Sequence, residues 1–356
     1  MSTDIGIVGL AQSGKTTVFN SLTRGSADIS SHAPGGISPH IGIAKVPEPR
    51  LKRLVDIFQP KRIVPAEVMY IDIGASLKNL ATDKGIGGEL LNQLSNTDTL
   101  INVVRAFPDD SIPHIEGNLD IERDIATIER RLEKINNSLK GSKQAERQGF
   151  LREQEILDRF RDDLTKDIPI RELKLTAEEA RAISHYQFLT SKPILTVVNI
   201  GEEQLTGQLS LEAELDSRFS AEKNRIIALC GKLEMELSQL DDDAAQEFRS
   251  DFGLQESGLD RVIQASYQLL GLNSFFTAAS NEVRAWSIPG GTSAQQAAGK
   301  IHTDMERGFI RAEAISYDDL VNCGSMAEAR KQGRLRLEGK DYPIKDGDVI
   351  NFLFNV

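Results

Sequence analysis

The sequence predicts an α/β protein with a mainly parallel β-sheet, and three features of its 356 residues lead to this fold class. A short apolar run over residues 5–8 is followed by a glycine-rich turn and the start of a helix. Further apolar runs alternate with helical stretches, as in a parallel sheet covered by helices. These runs span residues 41–46, 66–73, 100–107, 193–199 and 224–230. From about residue 280 the pattern changes to short strands around one helix, which indicates a separate α+β module.

The glycine-rich turn is the most specific motif in the chain. From Gly9 to Thr16 it reads GLAQSGKT, which is the G-x-x-x-x-G-K-T pattern of a phosphate-binding P-loop between a strand and a helix. Backbone N–H groups of such a loop bind phosphate oxygens; Lys15 is expected to reach the β- and γ-phosphates, and Thr16 to ligate Mg²⁺. The residues predicted here to bind a nucleotide are Gly9, Ala11, Gln12, Ser13, Gly14, Lys15, Thr16 and Thr17.

Composition and charge narrow the class of protein. A hydrophobic content of 40% and a charged content of 27% are those of an ordinary soluble protein. No apolar run reaches the roughly 18 residues of a membrane span, and two cysteines are too few for a disulfide framework. The net charge of −11 argues against a surface built as a whole for nucleic acid, although local basic patches are compatible with it. We therefore expect a cytoplasmic protein with neither DNA nor a membrane as its partner.

A helical segment interrupts the strand pattern between residues 121 and 189. Its first helix has apolar residues spaced 4, 3, 4, 3 and 4 apart, which is a heptad seam. The seam consists of Ile121, Ile125, Ile128, Leu132, Ile135 and Leu139. A second helix carries an apolar face over residues 150–164, and Thr176 with Glu179 forms a capping box for another helix. We expect an antiparallel coiled-coil arm, with helices packed flat on the globule as the alternative.

These patterns predict three domains. Residues 1–120 and 190–277 form the nucleotide-binding domain, residues 121–189 form the inserted arm, and residues 278–356 form the C-terminal module.

Two further strand ends carry the expected site. Asp72 ends one strand, where nucleotide hydrolases place the aspartate that holds Mg²⁺ through water. Another strand ends in Asn199-Ile200-Gly201-Glu202. Ordinary GTPases have Asn-Lys-x-Asp at such a position, and the aspartate accepts hydrogen bonds from N1–H and the 2-amino group of guanine. This chain lacks that lysine and that aspartate, whereas the Asn199 amide can pair with N7 and the 6-amino group of adenine.

The sequence therefore favours ATP over GTP. The alternative is that Glu202 is simply a solvent-facing acidic residue in a loop. Cys230 and Gly231 lie where the last base-contacting loop belongs and are expected to act mainly through their backbone. The residues predicted to bind the base are Asn199, Ile200, Glu202, Cys230 and Gly231.

Several separated stretches resemble one known family. They are Val46-Pro-Glu-Pro-Arg-Leu51, Asn199-Ile-Gly-Glu202, Val283-Arg-Ala-Trp286, Gln296-Ala-Ala-Gly-Lys-Ile-His-Thr-Asp304, Glu306-Arg-Gly-Phe-Ile-Arg-Ala312 and Asp346-Gly-Asp348. Over essentially the whole chain they resemble the Obg-related YchF-type P-loop NTPases. The resemblance implies a G-domain-like sheet, an inserted coiled-coil arm and a C-terminal TGS domain with a ubiquitin-like fold. It also implies a preference for ATP and association with the ribosome.

The residues expected to support hydrolysis depart from the family pattern at two positions. The chain has Asp72-Ile-Gly-Ala75 where the family normally shows Asp-Ile-Ala-Gly, and Gly36 stands where the family has its switch-I threonine. No glutamine follows the Asp72 motif to orient water. The resemblance points instead to His114, whose imidazole can position the attacking water near neutral pH. A structural loop histidine is the alternative; with Lys15, His114 completes the predicted catalytic pair.

The function predicted from the sequence is a Mg²⁺-dependent ATPase of low intrinsic rate that acts as a molecular switch at the ribosome. Two alternatives stay open: a hydrolysis-deficient nucleotide sensor or RNA-binding scaffold, and a switch that uses GTP. A basic cluster in the C-terminal module can meet RNA phosphates, but the sequence alone favours a solvated face of mixed charge. The cluster consists of Arg330, Lys331, Arg334, Arg336 and Lys340.

Overall fold

The computed structural model describes residues 3–10, 12–24, 40–72, 93–107, 119–140, 144–219, 222–279 and 281–355. The first elements are β1 (Thr3–Gly9), α1 (Lys15–Leu22), β2 (His40–Lys45), α2 (Arg50–Phe58), β3 (Arg62–Val64), β4 (Glu67–Asp72) and β5 (Thr99–Arg105). A mainly helical region follows, with α3 (Leu119–Leu139), α4 (Gln144–Leu164), α5 (Ala177–Ile183), β6 (Ile194–Asn199), α6 (Gln208–Phe219), β7 (Asn224–Leu229), α7 (Gly231–Leu237), α8 (Asp242–Asp251) and α9 (Gly258–Leu269). Within the described ranges, no helix is both long and apolar enough to cross a membrane.

The C-terminal elements are β8 (Leu272–Ala278), β9 (Glu282–Pro289), α10 (Ala294–Ile301), α11 (Thr303–Arg307), β10 (Phe309–Ser316), α12 (Tyr317–Cys323), α13 (Met326–Lys331), β11 (Arg336–Glu338) and β12 (Asp348–Phe354). Short 3₁₀ turns cover Ile170–Glu172, Ser184–Tyr186, Leu189–Ser191 and Glu202–Gly207.

The first sheet has the strand order β2-β4-β1-β5-β6-β7. Strands β1, β5, β6 and β7 pair in parallel, with Ile7 opposite Ile101 and Val103 opposite Val197. These side chains have almost no exposed surface, so the strands form the core that the apolar runs predicted. Because parallel strands end at the same edge of a sheet, the segments that follow β1, β6 and β7 meet there. The architecture confirms the predicted P-loop NTPase fold class.

The second sheet has the order β11-β10-β12-β8-β9-β3 and mixes antiparallel with parallel pairs. The core on one face is formed by Phe275, Phe352 and three small side chains of α10. The sequence predicts strands over residues 283–288, 334–337 and 349–354 and a helix over residues 293–302, which correspond to β9, β11, β12 and α10. It does not predict β3, β8 and β10. In β10 the buried residues are Ala312, Ala314 and Ile315, and the two alanines lie on either side of the half-buried Glu313. Alanine is uncommon in strands, so this period-two pattern gave a weak signal.

By packing, the chain divides into two compact units. One consists of Met1–Thr3, Ile43–Met69 and Leu259–Val356; the other consists of Asp4–Gly42 and Tyr70–Gly258. Strand β8, which the sequence analysis assigned to the nucleotide-binding domain, pairs inside the second sheet with β9 and β12. The predicted domain boundaries stay a prediction, because packing and evolutionary modules need not coincide.

The segment 43–69 is joined to the C-terminal residues by pairing and by charge. Strand β3 pairs in parallel with β9, with Ile63 opposite Val283. The Arg50 guanidinium donates hydrogen bonds to Glu48 at 2.6 Å and to Asp346 at 2.7 Å. These partners, Glu48 first, raise the pKa of Arg50 against the opposing effect of burial. A half-buried arginine with two carboxylate partners fastens α2 to this unit.

Helices α3 and α4 form a pair with a hydrophobic core of their own. Ile128, Ile135, Leu157 and Phe160 are fully buried, and every buried member of the cluster comes from residues 121–188. The predicted heptad seam is therefore confirmed as the buried face of α3. The capping box on Thr176 is also present. Most helical stability in proteins comes from tertiary packing of an apolar face, and this pair finds that packing within residues 121–188.

A core substitution in the helical pair tests this packing. Ile128→Ala removes a fully buried side chain and leaves a cavity, so we expect a loss of about 2–5 kcal/mol in the free energy of unfolding of this segment. The matched control is Leu151→Ala on α4, which is 46% exposed and should cost no more than about 0.5 kcal/mol. Urea unfolding followed by circular dichroism compares the two, and equal shifts would contradict the assigned core.

Candidate functional site

Two glycines shape the loop between β1 and α1. Gly9 has φ of 150° and Gly14 has φ of 93°, which are backbone conformations that other residues rarely adopt. A Cβ on Gly14 would lie 2.2 Å from the Asn199 Nδ2 atom, and a Cβ on Gly9 would lie 2.4 Å from the Val103 carbonyl oxygen. Both positions therefore need glycine for conformation and for close approach. The loop wraps tightly, and α1 begins directly after it at Lys15.

Asn199, at the end of β6, connects this loop to the loop after β7. Its Nδ2 donates to the Ser13 carbonyl oxygen at 3.0 Å, and its Oδ1 accepts from the Gly231 N–H at 2.9 Å. The side chain is buried, so each hydrogen bond satisfies a backbone group that water does not reach. The amide retains a second Nδ2 proton and a second Oδ1 lone pair. Its predicted contact with a base stays a prediction.

Lys15 lies inside the loop with little exposed surface. Its ammonium donates to the Leu10 carbonyl oxygen at 2.6 Å. Burial lowers the pKa of Lys15, while the negative charge of Asp72 raises it. The loop thus holds a cation beside backbone N–H groups at a helix start, which is the arrangement that binds phosphate.

Asp72, the last residue of β4, is fully buried and faces the start of α1. Its Oδ2 accepts a hydrogen bond from the Thr16 hydroxyl at 3.1 Å and lies 3.8 Å from His40 Nδ1. Among the described residues its Oδ1 atom has no hydrogen-bond partner. Burial raises the pKa of this carboxyl against the lowering effects of Thr16, His40 and Lys15. A carboxylate with an unsatisfied oxygen beside a hydroxyl is a donor set that suits Mg²⁺.

A cavity of about 920 Å³ opens over these groups. It brings together nine of the residues predicted from the sequence, which are Gln12, Gly14, Lys15, Thr16, Thr17, Asn199, Ile200, Glu202 and Cys230. Gly9, Ser13, Asp72 and Gly231 support the site without lining the cavity. Ala11 and His114, together with the departures at Gly36 and Ala75, lie outside the described residues.

The cavity also has lining residues that the sequence does not predict as nucleotide-binding residues. They are Phe107, Gly201, Glu203 and Lys232. Phe107 follows β5 at the edge where the strands end, and this position in the sequence is a signal for a lining residue. Lys232 donates to Glu202 Oε1 at 2.8 Å, so Glu202 is ion-paired rather than only solvated.

The basic cluster of the C-terminal module is largely paired with carboxylates. Arg330 lies 2.7 Å from Glu313, Lys331 3.5 Å from Glu328, Arg334 3.6 Å from Asp319, and Arg336 3.0 Å from Glu338. These ion pairs make the surface one of mixed charge, which is the alternative that the sequence alone favoured. Each exposed pair contributes little to stability, about 0–1 kcal/mol.

Comparison with known proteins decides the family. A family model described as "YchF-GTPase_C: Protein of unknown function" matches residues 272–355. The chain is 38% identical over 370 residues to the "Ribosome-binding ATPase YchF" of Bacillus subtilis. This match covers 100% of both chains. The chain belongs to the YchF family. The Escherichia coli O157:H7 "Ribosome-binding ATPase YchF" is also 38% identical over 363 residues, with 99% of each chain covered.

A solved structure of another YchF protein shares the same overall fold. The Schizosaccharomyces pombe YchF GTPase superposes with a TM-score of 0.83 at 27% identity, and the match covers 99% of this chain and 98% of that one. The YchF assignment agrees with the family resemblance drawn from the sequence motifs. ATPase activity, GTPase activity and ribosome binding are here the named properties of these relatives.

Substituting the second P-loop glycine tests the close packing against Asn199. Gly14→Ala places a Cβ where Asn199 lies and forces a left-handed backbone on alanine, so the loop must distort. We expect nucleotide affinity to fall by about tenfold or more, because the phosphate-binding N–H groups move. Gly207→Ala is the control, since a Cβ there meets nothing within 4 Å. Fluorescent nucleotide titration compares the variants, and unchanged affinity in Gly14→Ala would contradict the geometry.

The raised pKa of Asp72 predicts a stability cost at neutral pH. The folded state binds the Asp72 proton more tightly than the unfolded chain, so stability falls as pH rises from the unfolded towards the folded pKa. Asp72→Asn should remove this penalty, and in protein without nucleotide the melting temperature should rise by roughly 2–4 °C for each kcal/mol regained. The gain should be larger at pH 8 than near pH 4.5. Calorimetry measures it beside the exposed control Asp251→Asn, and a lower melting temperature at pH 8 would contradict this reading.

Proposed function

We propose that this YchF-family protein is a Mg²⁺-dependent ATPase that prefers ATP to GTP, hydrolyses it slowly and acts at the ribosome as a molecular switch. The observation that carries the proposal is one cavity lined both by the P-loop and by the residues from Asn199 to Glu202. The first binds phosphates and the second lacks the lysine and aspartate that read guanine. The names of the relatives support the same activity and the same partner.

At the phosphate end, the chain's own groups supply most of what phosphoryl transfer requires. Loop N–H groups and the Lys15 ammonium neutralise and orient the phosphates, so the reacting group is held in place before any bond changes. Thr16 and Asp72 would hold Mg²⁺. When bound, the ion supplies charge neutralisation at the phosphate oxygens. A bound ion would also offset the free-energy cost of burying the Asp72 Oδ1 atom without a hydrogen-bond partner.

At the base end, preference for ATP follows from the acceptor and donor pattern. Asn199 offers an amide that can pair with N7 and the 6-amino group of adenine. The aspartate that would accept from guanine N1–H is replaced by Glu202, which is engaged by Lys232. Cys230 and Phe107 add an apolar contribution to the lining. ATP is therefore the nucleotide we propose for this cavity.

A low rate of hydrolysis follows from the residues around the γ-phosphate position. No glutamine is available after Asp72 to orient water, and we assign that role to His114. Gly36 and Ala75 replace residues that normally sense the γ-phosphate in the family. Slow turnover with nucleotide-dependent loop order is the behaviour of a switch. The alternative is a hydrolysis-deficient nucleotide sensor, which turnover at background with Mg²⁺, K⁺ and ribosomes all present would favour.

We propose the ribosomal partner from the names of the relatives, and we propose a cytoplasmic location as a consequence. The helical arm and the C-terminal module, which we assign to the TGS class, are the parts we propose to contact it. RNA contacts on the C-terminal module would have to displace the carboxylates that now pair with its arginines. A surface of mixed charge disfavours non-specific binding to RNA phosphates. It fits better with a partner that is recognised by its shape.

Titration with fluorescent ATP and GTP analogues in the presence of Mg²⁺ tests the proposed function. The wild type should bind ATP more tightly than GTP. Lys15→Ala should lose about tenfold or more in nucleotide affinity, because the buried ammonium that would bind the phosphates is removed. Lys166→Ala, an exposed lysine on the arm segment, is the control and should bind as the wild type does. Tighter binding of GTP would overturn the base assignment, and binding of neither nucleotide would leave only the scaffold alternative.

A further inference from the structure

An ion pair sits at the base end of the cavity. Lys232, in the first turn of α7, donates from its Nζ to Glu202 Oε1 at 2.8 Å, and both residues line the cavity. The two side chains are 68% and 44% exposed, so neither is held there by burial. A positive charge in the first turn of a helix opposes the helix dipole. The helix dipole therefore gives no reason for a lysine at this position.

The segments that carry this pair are connected to the P-loop through Asn199. Asn199 is three residues before Glu202 and one hydrogen bond from Gly231, the neighbour of Lys232. The same buried amide bonds the P-loop at Ser13. Asn199 therefore connects the segments of both Glu202 and Lys232 to the phosphate-binding loop. A nucleotide whose phosphates bind to that loop would have its base at a defined position relative to the ion pair.

The charges around the ammonium favour its staying protonated. Glu202 is its closest partner, Glu236 lies on the same helix, and both raise the pKa of Lys232. Glu203 lines the cavity on the opposite loop. The cation thus remains charged at neutral pH and keeps two further N–H donors beside the one given to Glu202.

Base edges differ in what they require from such a group. Guanine presents two donors, N1–H and the 2-amino group, and a free carboxylate accepts both. Adenine presents an acceptor at N1 and no amino group at C2. An ammonium bonded to the carboxylate offers a donor to adenine N1 and repels the donor edge of guanine.

We propose that Lys232 is a specificity-determining residue, which masks the Glu202 carboxylate and turns an acceptor at the base end of the cavity into a donor that selects adenine over guanine. This inference rests on the proposed ATP preference and names the residue that enforces it. The role of Glu202 then depends on Lys232. A free Glu202 carboxylate would favour guanine, whereas a carboxylate paired with Lys232 does not.

Equilibrium titration of purified full-length protein with fluorescent ATP and GTP analogues tests this role. Lys232→Met removes the donor and releases Glu202, so the ratio of ATP to GTP affinity should fall by about tenfold or more, mainly through tighter GTP binding. Lys232→Arg keeps a cation beside Glu202 and should retain a clear preference for ATP. In the double variant Lys232→Met with Glu202→Gln, the gain in GTP affinity should disappear, because no free carboxylate remains.

The matched control is Lys223→Met, an exposed lysine directly before β7 that does not line the cavity. It removes the same charge, and the ratio should stay at the wild-type value. If Lys223→Met shifted the ratio as Lys232→Met does, general charge would be the cause and the inference would fail. Melting temperatures of all variants verify that each is folded.

The outcomes separate this inference from the proposed function. A wild type that prefers ATP, together with an unchanged ratio in Lys232→Met, would overturn the role of Lys232 and leave the ATPase proposal standing. A wild type that prefers GTP or binds neither nucleotide would overturn both. A selective rise in GTP affinity that the second substitution cancels would establish the ion pair as the selector.

Discussion

The site depends on one buried amide. Asn199 bonds the Ser13 carbonyl with one atom and the Gly231 N–H with the other, and so joins three loops that follow three different strands. Removing it would leave two buried backbone groups without partners, a cost of about 1–3 kcal/mol each. The glycines around it follow from this contact, because Gly14 and Gly231 must let the amide approach. The P-loop and the loops after β6 and β7 are thereby held in one geometry.

The two units contain buried or half-buried charges of opposite character. Around Asp72 and Lys15, burial outweighs the partners and shifts each pKa towards the neutral form. Around Arg50, the carboxylates outweigh burial and strengthen the charged form. A ligand-binding site keeps charges under-satisfied so that a ligand can complete them, whereas a structural cluster satisfies its charges internally. The same distinction applies to Asp348, which accepts from Tyr342 and Arg336 within the C-terminal sheet.

Much of the fold and part of the site could be predicted because their signals are local. The P-loop is a contiguous string, the buried strands are short apolar runs, and the α3 seam repeats every seven residues. What escaped prediction depends on partners distant in sequence. A role can be proposed for Lys232 only once Glu202, 30 residues earlier in the chain, is seen beside it. Strand β10 was missed because small alanines fill its inward positions.

Strand β3 can pair only after a much later part of the chain has been synthesised. Its partner β9 is encoded more than two hundred residues later, so the edge of the second sheet cannot close until nearly the whole polypeptide has emerged. At translation speeds of about 5–20 residues per second, residues 62–64 wait roughly 10–40 s for their partner. During that interval an exposed edge with Ile63 at its centre is open to wrong pairing, and the charged neighbours Lys61 and Arg62 discourage it. The nascent chain thus depends on gatekeeper charges before it depends on its native contacts.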